Sequence, residues 1–130
     1  MGITHITVAV SPVAGRKKPW KALFLVDSGA KDTRVPGRVL RRLGIKPYRR
    51  DNYELADGSL VEFDIGAAMV TVKGVTVVSE VLFGPDDVEP LLGAITMQSA
   101  NLIWDARRER LVPSPHAKPL KALDRLEARS

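Results

Sequence analysis

The chain contains no cysteine, which excludes disulfides, thiolate metal sites and a thiol nucleophile. Its two histidines, His5 and His116, lie far apart and lack metal-ligand spacing, so neither a Ser-His pair nor a histidine-based zinc site finds support. Aromatic residues make up 5% of the 130, and they are too little interleaved with basic ones to stack bases along a nucleic acid. No apolar run approaches the length of a membrane span, and Met1-Gly2-Ile3-Thr4-His5 shows no basic stretch followed by an apolar one. These absences lead to the expectation of a cytoplasmic protein that does not enter a membrane.

Hydrophobic residues at 45% and charged residues at 27% are ordinary for a globular protein. A chain of this length buries roughly two thirds of its unfolded surface in one domain. The net charge of +5 is unevenly spread: residues 1–50 carry twelve Lys/Arg against Asp27 and Asp32, and residues 51–105 carry ten acids against Lys73 alone. Arg16-Lys17-Lys18, Arg41-Arg42 and Arg49-Arg50 could meet phosphate, which would make the chain a basic nucleic-acid-binding β-domain. The plainer expectation is that these bases face acidic strands of their own domain and that nucleic acid is not a partner.

Thr4, Ile6, Val8 and Val10 alternate with His5, Thr7 and Ala9, a period of two that predicts a half-buried strand. A second strand is expected over Trp20 to Val26, continuously apolar from Leu23 onward as a strand covered on both faces would be. Pro36 in a first turn, Val39, Leu40 and Leu43 at helical spacing and Gly44 just beyond predict a helix over residues 36–43. Tyr48 to Ala56 and Ser59 to Val72 read as strands joined by a two-residue turn at Asp57-Gly58, and Lys73-Gly74 turns the chain again into Val75 to Phe83. After Gly84-Pro85-Asp86-Asp87, Thr96 is placed to cap a helix running to Ala100, and Leu102 to Asp105 and Arg110 to Val112 predict two short strands. The expected organisation is a mostly β, small closed barrel with one or two short helices over residues 1–113. Residues 114–130 form a Pro-containing tail, in which Leu120, Leu123 and Leu126 are spaced for a short helix.

Within this pattern, Phe24-Leu25-Val26-Asp27-Ser28-Gly29-Ala30 has a chemical rationale. An apolar strand fixes the carboxylate, glycine permits close approach by another backbone, and a hydroxyl can orient the acid. The tripeptide alone is equally compatible with a strand-ending turn in which Asp27 caps the backbone. Three markers in order add to it: the Asp27 segment with Thr33, the hairpin Glu54 to Val61, and Leu91-Leu92-Gly93 followed by a short helix and strand. Together they resemble the retropepsin-like (retroviral-type, clan AA) aspartic protease family from residue 20 to residue 113.

The resemblance implies an aspartic endopeptidase in which Asp27 supplies one catalytic carboxylate and a second copy of the chain supplies the other, making a two-fold homodimer. Ser28, Gly29, Ala30, Thr33, Leu92 and Gly93 would support the active-site loop. Ala56, Asp57, Gly58 and Ser59 would form a flap over a peptide or protein substrate, with Lys31 and Asp32 beside the bound chain. No metal and no cofactor are implied. Lys31 departs from the family pattern, which usually has a small, acidic or amide residue there. Pointing inward it would oppose the sharing of a proton between two carboxylates, leaving a non-cleaving peptide-binding or dimerisation module, and facing the channel it would select acidic peptides.

Overall fold

The computed structural model describes residues 3–15 and 17–115. In β1 (His5–Ser11) the period of two holds, with Val8 and Val10 fully buried. This strand pairs antiparallel with β2 (Trp20–Val26), placing Val10 opposite Trp20 and His5 opposite Leu25. Then come β3 (Thr33–Pro36), α1 (Gly37–Arg42), β4 (Arg49–Glu54), β5 (Leu60–Val72), β6 (Val75–Gly84), β7 (Leu91–Leu92), α2 (Ala94–Ser99), β8 (Leu102–Asp105) and β9 (Arg110–Pro113).

Six strands form a closed ring in the order β1-β2-β7-β3-β6-β5, which returns to β1 through the pairing of Val8–Ser11 with Met69–Val72. Closure leaves the ring without a free edge. The 13 residues of β5 make this possible: the second half pairs with β6 and β1, and the first half runs outward to pair with β4. β8 and β9 form a separate two-stranded sheet. The mostly β barrel with two short helices is the architecture the sequence predicts. Residues 116–130, including the expected tail helix, lie outside the described residues. Among the described residues no helix is long and apolar enough to cross a membrane.

Five local expectations are corrected. β2 is not covered on both faces: Phe24 is fully buried, yet Leu23 is 61% exposed, because a single barrel wall turns alternate residues outward. β3 had no sequence signal, being four residues long and interrupted by Arg34. Pro36 belongs to β3, opposite Gly84, and its extended backbone (φ −52°, ψ 129°) delays α1 to Gly37. α2 begins at Ala94 with Gly93 as its cap, so Thr96 is a buried mid-helix residue and not the cap. Finally, β4 ends at Glu54, and the loop before β5 is longer than two residues: Gly58 N–H donates to the Leu55 carbonyl (2.9 Å) and Leu55 N–H to the Ser59 carbonyl (2.8 Å). The β5–β6 turn does match the expected two-residue form, with Lys73 and Gly74 both at positive φ (52° and 77°).

Two of the three basic clusters, Arg41-Arg42 and Arg49-Arg50, meet acidic strands of the same domain, while Lys17 donates to the Arg42 carbonyl (3.0 Å). Arg41 and Arg50 pair with Asp64 (3.6 and 2.9 Å) and Arg49 pairs with Glu80 (3.0 Å). The core is aliphatic around Phe24, whose ring meets Trp20 edge-on at 6.0 Å. Phe24→Ala is expected to lower stability by about 3–5 kcal/mol and Phe24→Leu by much less, read from urea denaturation midpoints. An alanine penalty below about 1 kcal/mol would show that β2 is not anchored through this ring.

Candidate active site

The end of β2 is held by backbone hydrogen bonds in addition to its core packing. Leu25 and Val26 lie parallel to Leu91 and Leu92 of β7. Leu25 N–H donates to the Pro90 carbonyl (3.0 Å), Val26 N–H to the Thr4 carbonyl (2.9 Å) and Asp27 N–H to the Leu92 carbonyl (3.1 Å). Asp27 emerges half-buried from this frame. The chain then turns, with Ala30 N–H on the Asp27 carbonyl (3.2 Å) and Gly29 N–H on Asp27 Oδ1 (3.0 Å). A Cβ at Gly29 would stand 3.3 Å from that same oxygen, a tight contact that would shift the carboxylate by a few tenths of an ångström.

Behind the loop lies a buried line of hydroxyls. Gly93 N–H donates to Thr33 Oγ1 (3.0 Å), Thr33 is hydrogen-bonded to Thr96, and Thr96 to Ser79 (2.8 Å). Thr33 and Thr96 are fully buried and Ser79 is 4% exposed. The line ties β3, α2 and β6 together, and Ser79 ends it by donating to the Glu80 carbonyl (3.1 Å). The first N–H groups of α2, which no helix can satisfy internally, go to the loop: Ala94 donates to the Ala30 carbonyl (2.8 Å) and Ile95 to the Lys31 carbonyl (2.9 Å).

Two cavities flank the loop. One of about 390 Å³ lies between Ser28–Lys31 and Ala94, Ile95 and Gln98 of α2. The other, about 580 Å³, has Ala30, Lys31 and Asp32 along one side and Tyr53, Leu55, Phe63, Leu82 and Leu91 among its other walls. The hydroxyl of Tyr53 donates to Asp32 Oδ2 (2.5 Å), joining β4 to the loop. Burial first, and then the Asp32 hydrogen bond and charge, push the Tyr53 hydroxyl above its ordinary pKa, so it stays a donor.

No family model matches the chain, and no curated protein matches it in sequence. Among solved structures, the protease of simian foamy virus (mac) superposes with a TM-score of 0.55 at 24% identity, covering 73% of this chain and 92% of that one. The EIAV protease complexed with the inhibitor HBY-793 gives 0.52 at 19% identity, covering 75% and 86%. The chain has a retropepsin-like fold.

On this retropepsin-like frame, the predicted residues Asp27, Ser28, Gly29, Ala30, Lys31 and Asp32 form one continuous loop that runs into Thr33 at the start of β3, and Leu92 and Gly93 back it. Ala56, Asp57, Gly58 and Ser59 stand apart as the exposed tip of the β4–β5 hairpin and border neither cavity. The hairpin residues that do border the larger cavity are Tyr53 and Leu55. Sequence reasoning passed over Tyr53, Ser79 and Thr96 as site residues. For the last two the available signal was a hydroxyl residue at an inward position of an otherwise apolar segment.

Removing the Thr33 hydroxyl leaves the Gly93 amide buried without an acceptor. Thr33→Val is therefore expected to cost about 1–3 kcal/mol in chemical denaturation, and Thr33→Ser markedly less. At the hairpin tip, the Ser59 hydroxyl and then its backbone amide, both donating to Asp57 Oδ1 (2.6 and 2.9 Å), lower the Asp57 pKa below its ordinary 3.8. A depressed carboxylate pKa supports the turn above the unfolded value and loses that support as pH falls through the folded one. The tip should therefore stay ordered down to pH 3.8 and loosen only below it. An NMR titration of Asp57 checks this, with Ser59→Ala expected to move the titration upward.

Proposed function

We propose that the chain is an aspartic-type endopeptidase acting as a two-fold homodimer, in which the Asp27 carboxylates of two copies activate one water. The observation that carries this reading is the mounting of Asp27. Its carboxylate is fixed by a loop amide (3.0 Å) at the end of a backbone-locked strand, between cavities on either side of its loop. The other acids lining the larger cavity are engaged: Asp32 with Tyr53 and Asp51 with Arg49. One chain therefore offers half of a carboxylate pair, and a two-fold axis beside Asp27 supplies the other half. Ser28, next in sequence, is exposed, and in this reading it would brace the partner's loop.

Two carboxylates brought together cannot both ionise freely and share one proton, as in the dyad of aspartic proteases. The ionised member takes a proton from the water, whose oxygen attacks the peptide carbonyl. The protonated member donates to the carbonyl oxygen as the tetrahedral intermediate forms. Collapse of that intermediate breaks the C–N bond, with a proton passing to the departing nitrogen. The substrate would lie extended, held through its backbone beneath the β4–β5 hairpin and chosen by its side chains.

Asp27→Asn is expected to lower cleavage of a peptide library by about 10³-fold or more and leave thermal unfolding unchanged. Adding excess Asp27→Asn protein to wild type should reduce activity beyond simple dilution, because mixed dimers carry one carboxylate. Undiminished turnover in the variant, or an unaffected wild type in the mixture, would overturn the paired-carboxylate reading.

A further inference from the structure

The cation directly beside the candidate catalytic loop has no counter-charge. Lys31 is exposed and borders both cavities, which puts the residue on the ridge between them. Among the described residues it forms no ion pair with Asp27, Asp32 or any other acid. The neighbouring acids are already engaged: Asp32 accepts from Tyr53 (2.5 Å), Asp51 pairs with Arg49 (3.3 Å) and Glu89 pairs with His5 (2.6 Å).

The charges lining the larger cavity are Lys31 and Arg34 against Asp32 and Asp51. These four charges sum to zero but are not equally available, since Asp51 lies 3.3 Å from Arg49, which Glu80 shares (3.0 Å), and Asp32 accepts from Tyr53. Arg34 likewise has no ion pair among the described residues, but its guanidinium is tethered to the Glu89 carbonyl (3.1 Å from Nη2), whereas Lys31 carries no such tether and is the more available of the two cations. Its main chain is fixed, since its own carbonyl and that of Ala30 accept the first two amides of α2 (2.9 and 2.8 Å). Pairing therefore costs only the rotamer freedom of one side chain. The opposite wall of the same cavity is apolar, built from Leu55, Phe63, Leu82, Val88 and Leu91.

We propose that Lys31 selects peptides bearing an aspartate or glutamate one or two residues from a large apolar side chain, the apolar group filling the 580 Å³ cavity and the carboxylate meeting the Lys31 ammonium. In an extended peptide, side chains two apart share a face and neighbours point to opposite faces, so both placements fall within reach of a lysine on the ridge. This step rests on the protease reading for its consequence in cleavage, and on the cleft alone for its consequence in binding.

The experiment has two arms. In the first, wild type, Lys31→Met and Lys31→Glu are compared on a peptide library. Acidic residues should be enriched at one fixed position for the wild type, unselected for Lys31→Met and replaced by Lys or Arg for Lys31→Glu. The kcat/KM for an acidic peptide should fall about tenfold in Lys31→Met, between the small effect of a solvated pair and the larger one of a sealed pair. In the second arm, calorimetry compares two uncleavable statine peptides that differ only in Glu or Lys at that position. The Glu peptide should bind wild type about tenfold more tightly, a preference lost in Lys31→Met and weakened by salt.

Cleavage without acidic enrichment, together with equal binding of the two statine peptides, would overturn the role of Lys31 and leave the protease reading standing. Selective binding of the Glu peptide without any cleavage would overturn the protease reading and support the role of Lys31. Failure of both arms overturns both. Thermal unfolding of each variant separates loss of selection from loss of fold, and the exposed, unpaired position predicts unchanged midpoints.

Discussion

Gly93 occupies a point where chain segments meet with no space for a side chain. A Cβ there would lie 2.4 Å from the Asp32 carbonyl oxygen and 2.9 Å from that of Lys31, contacts that real atoms do not tolerate and that backbone cannot easily relieve. Its amide is at the same time the donor to Thr33 (3.0 Å). Immediately before it, the Leu92 carbonyl receives the Asp27 amide (3.1 Å), and immediately after it, Ala94 and Ile95 donate to Ala30 and Lys31 (2.8 and 2.9 Å). The geometry of Asp27 is thus set by a second segment more than sixty residues away in sequence. Buried hydroxyls with both sides satisfied are rigid in a low-dielectric interior, so the Thr33–Thr96–Ser79 line transmits the position of β6 to the loop. The carboxylate is oriented by the barrel as a whole and not by its tripeptide.

The same barrel explains how the β4–β5 hairpin comes to touch the Asp27 loop. A closed ring of six strands has no edge on which to seat a seventh. β5 solves this by being long enough to belong to the ring at one end and to leave it at the other. Its outward half carries β4, and β4 carries Tyr53 to Asp32. The contact is narrow: one hydroxyl to one carboxylate, with the Tyr53–Phe63 edge contact at 5.7 Å behind it. The tip beyond it is stabilised locally, by Asp57 and Ser59, and not by packing. The hairpin is thus held at its waist by Tyr53, and its tip from Ala56 to Ser59 is exposed.

Much of this was legible from residue order. Period-two alternation located β1, the Lys73-Gly74 pair located the β5–β6 turn, and the apolar run before Asp27 located the loop, because each signal is local and each maps onto one backbone geometry. What was illegible depended on distant partners. β3 is a strand only because β6 and β7 lie beside it, and Arg34 in its middle breaks any pattern. Thr96 looks like a helix cap by residue type, yet the cap position goes to Gly93 because only glycine fits against Asp32. Leu23 reads as core from composition, and its 61% exposure follows from a strand that has one covered face. The site was legible in outline, as Asp27 to Thr33 with Leu92 and Gly93. The hydroxyl line and the Tyr53–Asp32 bond were not, since single hydroxyls carry no periodic signal.

The uneven charge along the chain also acquires a structural meaning. Bases concentrated before residue 51 and acids after it are brought together by the topology, since α1 and β4 lie against β5 and β6. Arg41, Arg49 and Arg50 find Asp64, Glu62 and Glu80 in this way. Lys31 does not share in this matching, because the acids around the same cavity are already engaged, Asp32 by Tyr53 and Asp51 by Arg49. Solvent-exposed charges more than about 4 Å apart attract by about 1 kcal/mol or less where water intervenes. In the proposed dimer, an exposed Lys31 without an ion pair to Asp27 would therefore impose little on the paired carboxylates while the cleft is wet. Its influence would grow if a bound peptide excluded that water, and a peptide that brings its own carboxylate would neutralise the cation as the water leaves.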